Sequence, residues 1–237
     1  DGKRPSLTCA TSAGKVLVHC PHAQRDLAQN DEVKARDQVP HSGMDDDRGT
    51  RFLSMNRKVT ALAAGRLDEA ADRDTLLVGM QTNLLAYDVD NNADVYYKAS
   101  ELTCEEYGVS SLLLGQLPAS SQPLALVGGN CSIQGFDSAG AEKFWTVTGD
   151  KVSSMAMVDA DGDGHMELLV GSDDFEMRVF RQEEVVSEIT EADRVTHLEC
   201  IAGKRGSTRW GFGLANGTIG VYDKGRRLWR VKTKHKV

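Results

Sequence analysis

Apolar residues along the chain fall in runs of four to seven, broken by Gly, Asn and Asp, which is the pattern of short strands joined by tight turns. The runs repeat as a unit: an apolar strand ending in Gly, a polar turn, then a strand ending in an aromatic residue and Asp. Leu76-Leu77-Val78-Gly79 leads to Ala86-Tyr87-Asp88, and Ala125-Leu126-Val127-Gly128 leads to Gly135-Phe136-Asp137. Leu168-Leu169-Val170-Gly171 leads to Val179-Phe180, and Gly213-Leu214-Ala215-Asn216 leads to Val221-Tyr222-Asp223. The spacings between Gly79, Gly128, Gly171 and Gly213 are 49, 43 and 42 residues.

Each unit opens on a further small, apolar strand, at Val59, Val109, Val152 and Val195. Each closes on a strand around Tyr96-Tyr97, Phe144-Trp145, Val185-Val186 and Leu228-Trp229. Four short strands per period of about 40 to 50 residues predict an all-β chain, a β-propeller of four-stranded antiparallel blades, with roughly five blades present. The expected units are 1–23, as a partial copy, then 59–108, 109–151, 152–194 and 195–237, the opening strands lining a central axis. Residues 24–57, with Asp31-Glu32 and Asp45-Asp46-Asp47-Arg48, read as a flexible insertion loop. Asn216-Gly217 reads as a type I′ hairpin turn.

Composition narrows the function classes. The formal charge is −7, which argues against nucleic acid as the main partner. Residues 224–237 nonetheless carry seven Lys and Arg and no acid. Their alternation with Trp229, Val231 and Thr233 fits an outer strand guarded by its cations, or a surface for an acidic partner or anionic lipid. No apolar run reaches the roughly 18 residues of a membrane helix. Cys9, Cys20, Cys104, Cys131 and Cys200 are odd in number and form no C-x-x-C pair, so a reducing compartment is the simpler expectation. The chain starts at Asp1 without Met and reads as a fragment.

The strongest local chemical signal is Asp159-Ala160-Asp161-Gly162-Asp163-Gly164-His165-Met166-Glu167. Carboxylates at positions 1, 3, 5 and 9 of a loop with Gly at position 6 wrap several oxygens around one point, as a hard cation requires. The carbonyl of His165 would supply position 7. Val170 stands where an EF-hand has Glu, and strands flank the loop, so it looks instead like the calcium loop between strands of FG-GAP propeller blades. A structural Ca²⁺ is expected at Asp159, Asp161, Asp163, His165 and Glu167, with an ion-free Asp/Gly turn or Mg²⁺ as the alternatives. Asp88 to Asp94 has similar spacing but Ala93 where the loop needs Gly, and reads as a polar turn. His19-Cys20-Pro21-His22 reads as a turn, and Gly211-Phe212-Gly213 lies in a strand pattern and not in a dinucleotide fingerprint. No catalytic or cofactor-binding residue is expected.

The segments Leu76 to Tyr97, Pro123 to Asp137, Phe144 to Phe180 and Gly211 to Lys232 closely resemble the N-terminal β-propeller of the Bardet-Biedl syndrome 2 family of BBSome subunits. The resemblance covers most of 59–236 and weakly 1–23; residues 24–57 and 203–209 depart from it. It implies a non-enzymatic scaffold in a coat-like adaptor for ciliary trafficking of membrane-protein cargo. It further implies a larger, seven-bladed ring and contacts mainly with the paralogous subunits seven and nine. The implied location is the cilium or flagellum, the basal body and the cytoplasm, peripheral at the ciliary membrane.

Two other readings compete. Phe136 to Trp145 resembles the Asp, Gly and Trp repeat of quinoprotein propeller enzymes. The calcium-type loop also suits an extracellular integrin-like adhesion propeller, for which Asn130-Cys131-Ser132 and Asn216-Gly217-Thr218 would be glycan acceptors.

Overall fold

The computed structural model describes residues 6–20, 50–99, 102, 108–201 and 208–235. Contacts divide the chain into two compact units, 1–59 and 60–237. Among the described residues, all nineteen elements are β-strands.

In the first unit, β1 (Leu7–Ala10), β2 (Lys15–His19) and β3 (Thr50–Ser54) form a three-stranded antiparallel sheet in that order. Gly14 makes the β1–β2 turn with φ of +74°, its amide donating to the Thr11 carbonyl. Val16 and Val18 are buried on one face of β2. The expected insertion over 24–57 therefore ends early. Its part up to residue 49 lies outside the described residues, but Thr50–Ser54 pairs in register with Lys15–His19. Only Leu53 and Phe52 are large apolar residues there, too few to read as a strand from pattern alone.

The second unit holds four sheets, each a four-stranded antiparallel meander in chain order. They are β4 (Val59–Gly65) to β7 (Ala93–Ala99), with β5 (Thr75–Met80) and β6 (Asn83–Asp88) between; and β8 (Val109–Gly115) to β11 (Glu142–Val147), with β9 (Leu124–Gly129) and β10 (Ser132–Phe136). Next come β12 (Val152–Val158) to β15 (Glu184–Thr190), with β13 (Glu167–Ser172) and β14 (Glu176–Arg181). The last is β16 (Val195–Cys200) to β19 (Arg226–Lys232), with β17 (Arg209–Leu214) and β18 (Thr218–Asp223). The strands β5, β6, β9, β10 and β13 are nearly continuous buried runs because both of their faces are covered. The fourth strands are largely exposed and carry Tyr97, Trp145, Val185, Val186 and Trp229 outward.

A repeated key explains the Gly of three of the four units. A Cβ at Gly79, Gly128 or Gly171 would lie 2.6, 2.6 or 2.5 Å from a Cγ1 of Val109, Val152 or Val195, the first residue of the following sheet. Carbon atoms pack at about 3.5–4.0 Å, so only Gly leaves the notch each valine fills. The next residue of the opening strand, Ser110, Ser153 or Thr196, is bulged out of register. Its hydroxyl donates to the carbonyl of Gly128, Gly171 or Gly213, at 3.1, 2.9 and 3.0 Å. Each Val-Ser/Thr opening thus joins its own sheet by the hydroxyl, while the valine locks into the sheet before. Three buried clusters, around Leu77 and Phe136, Ile133 and Phe180, and Leu169 and Trp210, fill the spaces between successive sheets. Burying each large side chain contributes about 1.5–3 kcal/mol.

The turn at Asn216-Gly217 is not type I′. Gly217 alone has positive φ, +85°, and its amide donates to the Leu214 carbonyl at 2.9 Å. This is the three-residue connection, a type I turn closed by a left-handed Gly, because Ala215 adds one residue to the loop.

Candidate metal centre

The chain leaves the opening strand β12 at Val158 and enters β13 at Glu167, so the acidic segment is the connection between two neighbouring strands. Asp159, 7% exposed, organises it: Oδ1 accepts the Gly162 amide at 2.7 Å and Oδ2 the Gly164 amide at 3.1 Å. Asp161 and Asp163 repeat the device, accepting the amides of Asp163 and His165 at 3.0 and 2.8 Å. Gly162 and Gly164 take φ of +85° and +93°, which the tight winding requires. Glu167 is fully buried and its Oε2 accepts the Ala160 amide at 2.9 Å. One carboxylate oxygen from each of Asp159, Asp161 and Glu167 lies within 4.8 Å of the others. Asp163 stands at the rim, and His165 is exposed.

A protein cation already reaches this cluster. Arg181, the last residue of β14, donates from Nη2 to Glu167 Oε1 and Asp161 Oδ2, both at 2.7 Å, and from Nε to Glu167 Oε1 at 3.2 Å. Its Nη2 is also 3.6 Å from Asp163 Oδ2. The hydrogen bonds to Glu167 and then Asp161 raise the guanidinium above its ordinary range. The same Arg181 bond holds the Asp161 carboxyl below the usual carboxylate range. A Cβ on Gly162 would collide with Lys224 Nζ, so a second cation, from the β18–β19 turn, lies over the loop.

Arg181 was missed by the sequence reading, and the repeat carried the signal for it. The third-strand aromatic is followed by Asp88, Asp137 and Asp223 in the other sheets, and by Arg181 here. Asp88 pairs with Arg73 at 2.8 Å, and Asp223 pairs with Arg209, its register partner, at 3.1 Å. One step past the Leu168–Phe180 pair, the β12–β15 sheet has the charges exchanged, with Glu167 on the second strand and Arg181 on the third. The donor set fits a hard cation, since every group is a carboxylate or carbonyl oxygen. A cation bonded to Asp161 and Glu167 would displace the guanidinium from them.

The N-terminal model of ciliary BBSome complex subunit 2 matches residues 1–129, more than half the chain, and its middle-region model matches 154–237. The chain belongs to the BBSome subunit 2 family. It is 47% identical over 99% of its length to the BBSome complex member BBS2 of Homo sapiens and 48% identical over 99% to that of Danio rerio. A Caenorhabditis elegans member, bbs-2, is 36% identical over 78%. The chain spans 30% of the human and zebrafish proteins and 24% of the nematode one. Its fold matches the crystal structure of BBS1N in complex with ARL6DN, soaked with lead, at a TM-score of 0.66 and 14% identity, covering 98% of this chain and 65% of that one. That likeness establishes the β-propeller fold.

Within this member of the BBSome subunit 2 family, the remaining motifs are structural. Asp88 Oδ1 accepts the amides of Asp90 and Asn91 at 3.1 and 3.0 Å, which makes a turn. His19 Nδ1 and Thr50 Oγ1, 2.8 Å apart, share a hydrogen bond between β2 and β3, and Cys20 Sγ lies 3.1 Å from Ser6 Oγ; Pro21 and His22 lie outside the described residues. Gly211-Phe212-Gly213 lies within β17. Cys9, Cys20, Cys131 and Cys200 are free thiols, and Cys104 lies outside the described residues.

Proposed function

We propose that the chain is a non-enzymatic scaffold module of a BBSome subunit, acting through protein contacts in the trafficking of membrane-protein cargo at cilia. The observation that carries this reading is identity of 47% and 48%, over 99% of the chain, to proteins named BBSome complex members. The architecture supports it: four sheets are keyed to one another by Gly–Val notches, a rigid frame whose rims and outer strands are free for contacts. The displaced ionisable groups also fit a frame. Burial raises Tyr222 to about 12 and also raises Tyr96, and hydrogen bonds to Glu167 and Asp161 raise Arg181, the shifts expected of groups packed and paired inside a frame. The partners we assign are other BBSome subunits, the paralogous subunits seven and nine first, with the complex peripheral at the ciliary membrane. Co-expression of the tagged full-length protein with subunits seven and nine tests this assignment. Stoichiometric co-elution is the expected result, and elution of the tagged protein alone would overturn it.

The acidic loop has a structural part in this reading, that of a Ca²⁺ site formed by Asp159, Asp161, Asp163, the His165 carbonyl and Glu167. A bound ion would neutralise the carboxylates and fix β12 to β13. The support is the convergence of three carboxylate oxygens within 4.8 Å. Added Ca²⁺ is expected to raise the melting temperature of the parent chain and not that of Asp161→Ala. Equal melting of both proteins with Ca²⁺ and with chelator would remove the ion from the account.

A further inference from the structure

The outermost strands of the four sheets differ in charge. β7 carries Asp94 and Lys98, β11 carries Glu142 and Lys143, and β15 carries Glu184 and Glu188. β19 carries Arg226, Arg227, Arg230 and Lys232 and no acid, and all seven of its residues are exposed. Its ladder with β18 pairs Lys232, Arg230 and Arg227 with Thr218, Gly220 and Tyr222, while Val231, Trp229 and Arg226 pair with Ile219, Val221 and Asp223. One face of the strand is therefore wholly cationic, and the other presents Trp229 and Val231, 49% and 54% exposed. Leu228 sits at the register shift between the two.

β19 is the edge of its sheet, and among the described residues no strand pairs with its outer side. Such an edge leaves alternate backbone N–H and C=O groups open to a further strand. Arg227 and Arg230 approach the buried Glu191 at 3.4 and 3.9 Å, which anchors the strand from beneath. One carboxylate leaves most of the strand's charge unmatched. Three of the four cations are Arg, whose planar guanidinium binds carboxylate in fixed geometry, and Lys is confined to the last position.

We propose that β19 binds an extended peptide of alternating acidic and apolar residues, which adds to the sheet as a fifth strand. The period of two sets acids of such a peptide beside Arg227, Arg230 and Lys232, and apolar side chains beside Trp229 and Val231. Its backbone takes up the open groups of the edge. A lipid surface answers the charge but not the backbone groups, so the peptide is the better match.

A fluorescein-labelled heptapeptide of alternating Glu and Val, titrated with the 237-residue chain and read by anisotropy, tests the assignment. Saturable binding is expected, weakened about tenfold or more by Arg230→Glu with Lys232→Glu, which reverses two cross-strand charge pairs. The same peptide N-methylated at every residue keeps its charge but loses its backbone donors, and should not bind. Lys232→Glu alone, on the cationic face and outside the Arg227 and Arg230 pairs with Glu191, serves if the first double variant does not fold. Absence of saturation, equal binding of the N-methylated peptide, or no effect of the charge reversals overturns the proposal. So does sedimentation of the chain with phosphatidylserine vesicles if the heptapeptide does not bind.

Discussion

Replacing Gly128 with Ala inserts a methyl group into the notch that receives Val152. The new Cβ would lie 2.6 Å from Val152 Cγ1, 3.1 Å from Val152 Cβ and 3.3 Å from Met155 Cε. The closest of these is about 1 Å inside the carbon–carbon optimum. Val152 is fully buried and opens β12, so it yields only if that strand shifts against the sheet before it. Overpacking of this kind costs about 1–3 kcal/mol. For a unit of this size that is a fall of roughly 2–12 °C in melting temperature. Urea denaturation of parent, Gly128→Ala, Val152→Ala and the double variant forms a cycle. Val152→Ala removes the atom that clashes, so the double variant should regain part of the loss, with a coupling of about 0.5–3 kcal/mol. A cost for Gly128→Ala below about 0.5 kcal/mol, or strict additivity, would refute the Gly–Val key.

Further outcomes follow from the buried and paired charges. Glu191, its side chain 1% exposed, accepts the hydroxyl of buried Tyr222 at 2.5 Å and faces two half-exposed arginines, so Glu191→Ala, which leaves that hydroxyl unpaired, should destabilise by about 1–3 kcal/mol in chemical denaturation. Burial, and then the Glu191 hydrogen bond, raise Tyr222 from 10.0 to about 12, so its contribution is complete below pH 10 and is lost as pH rises through 12. The stability difference between the parent chain and Tyr222→Phe should therefore shrink over that interval; a constant difference would contradict the pairing. Arg181→Gln should lower the melting temperature in chelator and increase the gain from added Ca²⁺, because the competing cation is gone. Calorimetry showing a smaller Ca²⁺ response than in the parent would count against that competition.

Much of the fold was legible because four copies of one unit expose what each position is for. Gly79, Gly128 and Gly171 stand out as punctuation in the sequence, but their reason does not, since the valine that fills each notch comes from the following sheet. The Ser or Thr after that valine was read only as part of a small, apolar strand, and its hydroxyl bond appears only with the bulge in register. β3 escaped notice because Thr50–Ser54 offers little alternation and pairs with a strand thirty-odd residues earlier. The acidic loop was legible through its spacing, whereas Arg181 was not, because a partner across a ladder is set by register and not by local pattern. Comparing the residue after each third-strand aromatic, Asp88, Asp137, Arg181 and Asp223, would have found it.

Scaffold membership in the BBSome is tested most directly by affinity purification of the tagged full-length protein from ciliated or flagellated cells, with co-purifying proteins quantified by mass spectrometry. Recovery of the BBSome subunits in fixed stoichiometry is the predicted result. Purification as a lone protein, or with glycan on Asn130 or Asn216, would contradict the scaffold account.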